Sequence, residues 1–186
     1  MQPTLLIIGF VYPEPNSSAA GSRMLQLIQA FQDNDYGITF ATTCKKSDNA
    51  FDLKSIGVTV VEIQLNHPSF DVFIKSLNPS IVLFDRFMTE EQFGWRVAEH
   101  CPDALRILDT EDLHCLRKAR QKAFHSNQTI EGDLFTNETT KREIASIYRS
   151  DLSLVISEVE HQILTETFKI DVSILCYLPF MIASEN

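Results

Sequence analysis

"TLLIIGFVYPEPNSSAAGSRMLQLIQAF", residues 4–31, decides how the rest of the chain is read. Leu5 to Phe10 is apolar throughout, as a strand covered on both faces is. Ala19 to Phe31 sets Met24, Leu25, Leu27, Ile28 and Phe31 at helical spacing. The stretch is therefore a strand followed by a helix, and the connection between them, "YPEPNSSAAG" at 12–21, is long and holds two prolines. Two readings stand for it. In one, Ser17 or Ser18 caps the helix and the prolines stiffen the turn. In the other, Asn16, Ser17, Ser18 and Gly21 feed a helix start whose free N–H groups and dipole hold a diphosphate, with Gly21 letting the ligand approach the backbone.

Outward from this unit the alternation continues. Strands are predicted at Tyr36 to Thr43, Val58 to Ile63, Ser80 to Phe84, Leu105 to Leu108, Leu152 to Ile156 and Val172 to Leu175. Helices are predicted at Phe70 to Leu77, from a Thr89 cap to His100, at Asp112 to Phe124, at Asn137 to Ser150, and at Glu158 to Phe168 capped by Ser157. Ser126 to Asp133 reads as a polar loop. Strands that are apolar rather than alternating, separated by helices, give an α/β fold: a doubly wound, mostly parallel, Rossmann-like sheet of about seven strands in one domain over 1–186. Ligands of such sheets bind beyond the carboxyl ends of the strands.

Bulk properties narrow the function. The 186 residues are 44% hydrophobic and 22% charged, the balance of a globular domain. A net charge of -9 argues against nucleic acid and anionic lipid as partners, since both need clustered Lys and Arg. No apolar run approaches the roughly 20 residues of a spanning helix. The start lacks a basic segment and a small-residue cleavage site, so a cytoplasmic location is expected. Four cysteines without CxxC spacing, and His100-Cys101 and His114-Cys115 as adjacent pairs, give no metal site. Arg117 to Lys122 is the densest basic segment, open to reading as a solvated helix face or as an anion site.

Known ligand loops are missing. The first turn has no G-x-G-x-x-G, and the second strand ends in Thr42-Thr43-Cys44 with no acid for a ribose. Neither G-x-x-x-x-G-K-[ST] nor G-x-S-x-G occurs. A second concentration of chemistry is "LDTEDLHCLRKAR", 108–120, where Asp109, Glu111, Asp112 and His114 follow a strand and Arg117 shares the helix face of His114. Such groups orient sugar hydroxyls or exchange protons, and equally they furnish an acidic helix start.

Three stretches, "GFVYPEPNSSAAGSRMLQLIQAF" (9–31), "DRFMTEEQFGWRVAEHCPDALRILDTEDLHCLRKAR" (85–120) and "SDLSLVISEVEHQIL" (150–164), make the chain resemble the amino-terminal, acceptor-binding half of a family 4-like glycosyltransferase with the two-domain B-type fold. The resemblance runs from Leu5 to about Phe180. It implies that the loop holding Asn16, Ser17, Ser18 and Gly21 meets the donor diphosphate, that Asp112 and His114 stand near the reacting sugars, and that Asp85, Arg86, Glu111, Arg117, Ser157 and Glu158 line the acceptor side of the cleft. It implies a nucleotide-sugar donor and a sugar acceptor, with no further cofactor. Many members carry His directly before the Asp of this motif; here that residue is Glu111. The family's nucleotide-holding second domain, with two glutamates separated by seven residues in a glycine-rich context, is not matched; Glu158 with Glu166 and Glu91 with Glu99 have the spacing without the context. The chain is accordingly expected to need a separate or missing carboxyl-terminal domain and to be inactive or incomplete alone. Tyr177, Leu178, Phe180 and Met181 would then form an apolar face suited to homodimerisation. A non-catalytic sugar- or protein-binding module on the same fold stays open as an alternative. A small flavodoxin-like regulator is disfavoured, because no acidic cluster follows the first strand.

Overall fold

The computed structural model describes residues 2–126 and 137–181. Seven strands, β1 (Thr4–Gly9), β2 (Gly37–Thr42), β3 (Thr59–Glu62), β4 (Ile81–Asp85), β5 (Leu105–Asp109), β6 (Leu152–Val155) and β7 (Leu175–Tyr177), form one sheet in the order β3-β2-β1-β4-β5-β6-β7. Every neighbouring pair is parallel. The order reverses between β1 and β4, which opens a crevice above the carboxyl ends of those two strands.

The helices are α1 (Ala19–Gln32), α2 (Ser69–Leu77), α3 (Arg86–His100), α4 (His114–Ser126), α5 (Glu138–Arg149) and α6 (Glu158–Gln162). They cover both faces. Leu5, Ile7, Leu83 and Ile107 turn to the layer of α1, where Met24, Leu27 and Ile28 meet them. Leu6, Ile8, Val82 and Phe84 turn to the opposite layer, against Phe70 and Ile74 of α2, Phe93 and Val97 of α3, and Ile147 of α5. This two-sided burial is why the strands carry apolar residues at every position.

Several boundaries differ from the sequence reading, each for a local reason. Helix α3 begins at Arg86 rather than after Thr89, whose hydroxyl lies inside the first turn and donates to the Asp85 and Arg86 carbonyls at 3.1 Å. Helix α4 begins at His114, because Glu111 takes a left-handed φ of 61° and sends Asp112 and Leu113 around a turn first. The last strand is Leu175–Tyr177; Val172–Ile174 is instead a short 3₁₀ turn, started by Asp171 Oδ1 accepting from the Ser173 N–H at 2.9 Å. Helix α6 runs on as one wide π turn over Ile163–Thr167, and Ser157 makes no side-chain capping bond. The polar loop expected to follow Ser126 lies, from residue 127, outside the described residues.

The long β1–α1 connection folds back on itself. Glu14 O accepts from the Ser17 and Ser18 N–H groups, and the Glu14 backbone lies so close to Gly21 that a Cβ there would stand 2.5 Å from it. Glycine is thus required at 21 by the chain's own backbone. Gly21→Ala should lower stability by about 1–3 kcal/mol through this overpacking, which urea unfolding would read; an unchanged midpoint would mean that the loop yields freely.

Candidate functional site: a charged cleft above the strand-order reversal

The floor of the crevice is built from charges carried on rigid elements. Asp85 and Asp109 are direct register partners at the carboxyl ends of β4 and β5. Arg23 reaches Asp109 from α1, with Nε 3.1 and 3.3 Å from Oδ1 and Oδ2 and Nη2 3.0 Å from Oδ1. Its Nη1 donates to the carbonyl of Leu178 at 2.8 Å. Both side chains of this pair are 0% exposed. Asp85 Oδ2 accepts from the Phe10 N–H at 2.9 Å, and Arg86 Nε stands 3.4 Å from Oδ1. The Arg86 guanidinium also lies over the Phe10 ring, 5.4 Å from its centroid. Burial raises the pKa of Asp85 and of Asp109, against the opposing pull of Arg86 and Arg23 respectively.

Above this floor sits a cavity of about 270 Å³ lined by Ala19, Ala20, Arg86, Glu111, Asp112, Arg117, Ile156 and Phe180. Ser18 caps α1 by accepting from the Gly21 N–H at 3.0 Å. The N–H groups of Ala19 and Ala20 have no acceptor among the described residues. Glu111 is only 6% exposed, and its Oε1 has no hydrogen-bond partner among the described residues. Burial first, then the nearby charges of Asp109 and Asp85, push its pKa up to about 7. Asp112 is held by Arg117, whose Nη1 lies 3.1 Å from Oδ1 and 3.0 Å from Oδ2. The cavity therefore combines two guanidinium groups, a helix start with open amides, and two carboxylates.

Of the residues singled out in the sequence, Arg86, Glu111, Asp112 and Arg117 come together as lining, with Asp85 beneath them. His114 does not line the cavity. It is 8% exposed, packs edge-on against Phe87 at 5.5 Å, and has Nδ1 3.3 Å from the Asp112 carbonyl oxygen and 3.4 Å from Glu143 Oε1. Asn16 and Ser17 face a separate groove of about 380 Å³ with Asp48 and Asn49. Ser157 is half-buried and Glu158 exposed at the start of α6, outside the lining. Tyr177 and Met181 are exposed, whereas Leu178 packs on the core and Phe180 turns into the cavity.

Three contributors escaped the sequence reading: Arg23, Glu143 and Glu160. Glu160 Oε1 accepts from the Leu113 N–H at 3.0 Å, and the two Glu143 oxygens accept from the His114 and Cys115 N–H groups at 2.7 Å each, so the start of α4 is closed from outside. A signal was present. Each of the three stands four residues before a buried apolar residue of its own helix (Leu27, Ile147 and Leu164), so each is a charge on an apolar stripe.

No protein-family model matches the chain, and no curated protein does. Solved structures do. The sucrose-phosphate synthase of Thermosynechococcus elongatus superposes with a TM-score of 0.61 at 12% identity, over 89% of this chain and 45% of that one. The lipopolysaccharide outer core galactosyltransferase WaaB, in its apo form, gives 0.62 at 10% identity, over 98% and 47%. A Glycyrrhiza uralensis UGT complexed with glycyrrhetinic acid 3-O-monoglucuronide gives 0.54 at 12%, over 91% and 46%. These neighbours are glycosyltransferases of the two-domain B type, and the chain has the fold of one Rossmann-like half of such an enzyme. It spans about half the length of the structures it matches. Among the described residues no helix is long and apolar enough to cross a membrane.

Two outcomes follow from the charges. Arg23→Ala leaves Asp109 buried and unpaired, and should cost about 3–5 kcal/mol in chemical denaturation. Because Glu111 binds its proton more tightly folded than unfolded, its ionisation destabilises the fold progressively from about pH 4.5 up through 7. Glu111→Gln should therefore match the wild type at pH 4.5 and exceed it by up to about 3 kcal/mol at pH 8; equal stability at both pH values would place Glu111 in contact with water.

Proposed function

We propose that this chain is the acceptor-side half of a glycosyltransferase that moves a sugar from a nucleotide-sugar donor to an acceptor, working with a second, nucleotide-holding half. One observation carries the reading: cationic groups and carboxylates converge in a single cleft at the point where the strand order reverses. A nucleotide sugar is a diphosphate joined to a polyol, and it needs both kinds of group within one site. The open amides of Ala19 and Ala20, with Arg86 and Arg117, supply the charge for a phosphoryl group. Asp112 supplies acceptors for hydroxyls.

Asp112 is the carboxylate we place beside the reacting sugars. His114, bonded to the Asp112 carbonyl from below, is a positioning residue, and Ser18 holds the helix start in place. Asn16 and Ser17 belong to a neighbouring groove that extends the site along the β1–α1 loop. Transfer depends on holding donor and acceptor in line, and positioning of that kind contributes much of the rate. A half that holds only one side of the reaction is expected to bind without turning over.

Calorimetric titration of UDP, GDP and their sugars into the purified chain tests this reading. Binding should weaken roughly tenfold in Arg117→Ala and in Arg86→Ala, each of which removes a charge-assisted hydrogen bond. An affinity that neither variant changes, or no heat at millimolar ligand, would remove the diphosphate from this cleft.

A further inference from the structure

Two carboxyls of the cleft keep a buried oxygen without a partner among the described residues, Asp85 at Oδ1 and Glu111 at Oε1, and of the two only Glu111 lines the cavity. Asp85 takes the Phe10 amide, Asp109 takes Arg23 and Asp112 takes Arg117. Glu111 is only 6% exposed as a residue and stands in the wall of a cavity, beside two other buried carboxylates, with Oε1 buried and unpaired among the described residues. A buried carboxyl left without a donor is costly as an anion and far less so as a neutral acid. As a neutral acid it is a hydrogen-bond donor. The groups around it act in both directions: Asp85 from β4 and Asp109 from β5 favour the neutral acid, Arg86 from α3 and Arg23 from α1 favour the anion, burial outweighs the arginines, and Asp112 and Arg117 face it as a pair from the turn into α4 and its first residues. His114 stands beneath, beyond the Asp112 carbonyl. Ile156 and Phe180 complete the lining and bring no charge.

We propose that Glu111 meets the anionic ligand of this cleft as a carboxylic acid, donating its proton to a phosphoryl oxygen, so that the cleft takes up the anion and a proton together. The inference rests on the reading of the cleft as an anion site, and not on which nucleotide sugar, if any, fills it. At a pH where free Glu111 is ionised, the proton comes from solvent and is bound as the anion arrives; the negative ligand then holds it more tightly than the empty cleft does. Where Glu111 is already protonated no uptake occurs. Its raised pKa, about 7, puts the change between the two regimes within the working range of most proteins. The adjacent arginines fix the anion, and Glu111 sets the pH above which it leaves.

Inorganic sulfate is the probe, because it has no proton to lose between pH 6 and 9, with the Ala19 and Ala20 amide shifts in NMR as a readout confined to the site. Wild-type affinity should be flat below about pH 7 and fall about tenfold per unit above it. Glu111→Gln keeps a neutral donor and should bind within about threefold of wild type at pH 6 with no fall up to pH 9, whereas Glu111→Ala should be weaker by roughly tenfold throughout. A pH-independent wild type, a fall that persists in Glu111→Gln, or no shift at Ala19 and Ala20 overturns the inference. Nucleotide-sugar binding at pH 6.5, measured beside it, separates the two readings. Sulfate uptake coupled to Glu111 without nucleotide-sugar binding sustains this inference and defeats the proposed function, while nucleotide-sugar and sulfate binding that ignore pH do the reverse.

Discussion

The buried pair of Arg23 and Asp109 is the interaction on which the cleft depends. An arginine in the apolar layer between a helix and a sheet is tolerated only if its donors are engaged, since the desolvation of an unpaired guanidinium costs several kcal/mol. Here Nε and Nη2 share the Asp109 carboxylate while Nη1 donates to the carbonyl of Leu178. Three distant parts of the chain are thereby tied at one point: the second turn of α1, the end of β5, and the segment after β7. That knot holds the start of α1 over the place where the strand order reverses. It also brings Phe180, two residues beyond Leu178, to the cavity wall.

The same pair sets the electrostatics above it. Asp109 is paired with Arg23 and also feels Arg86, and its register partner Asp85 has Arg86 at 3.4 Å for a counter-charge. A third carboxyl, Glu111, is then forced next to both. The backbone accepts this at a cost: Arg86 and Glu111 both take left-handed φ values, 73° and 61°, which for residues with a side chain cost of order 1–3 kcal/mol each. They follow corresponding strand ends, β4 and β5. In both, the left-handed residue breaks the strand direction and turns its side chain to the cavity. Strain and like-charge crowding at the carboxyl edge stand against an otherwise ordinary core, where local preference and burial agree.

The sequence made the architecture legible because the physical signal is one-dimensional. Uninterrupted apolar runs such as Leu5 to Phe10 and Ile81 to Phe84 report burial on two faces, and the helical stripes between them report which residues turn inward. Element edges were less legible wherever a side chain from elsewhere decided them. Thr89 has the sequence of a cap and serves inside α3, because the left-handed turn at Arg86 had already begun the helix. Asp112 was read as the first residue of α4, yet the start is displaced to His114 by Glu111. For the site, the carboxylates after β4 and β5 and Arg117 could be placed from position alone, and Arg86 only through the resemblance. Arg23, Glu143 and Glu160 could not be placed by motif, since their partners lie 86, 29 and 47 residues away in the chain. Their trace was negative: a charge at a position where the helical period calls for an apolar residue.

Glu143 and Glu160 also explain why one helix start is open and its neighbour is closed. Helices α1 and α4 both begin at the carboxyl edge of the sheet, each with unpaired amides and the positive end of a dipole. At α4 the Leu113, His114 and Cys115 amides are occupied by two carboxylates, Glu160 from α6 and Glu143 from α5, which closes that start from outside. At α1 the cap is Ser18, an uncharged group, and Ala19 and Ala20, which line the cavity, have no acceptor for their amides among the described residues. Arg117, one turn into α4, extends from the closed helix toward the open one, with Asp112 as its partner. The open amides of α1 thus meet the cavity above the Arg23 and Asp109 knot, beside Glu111, whose Oε1 has no hydrogen-bond partner among the described residues.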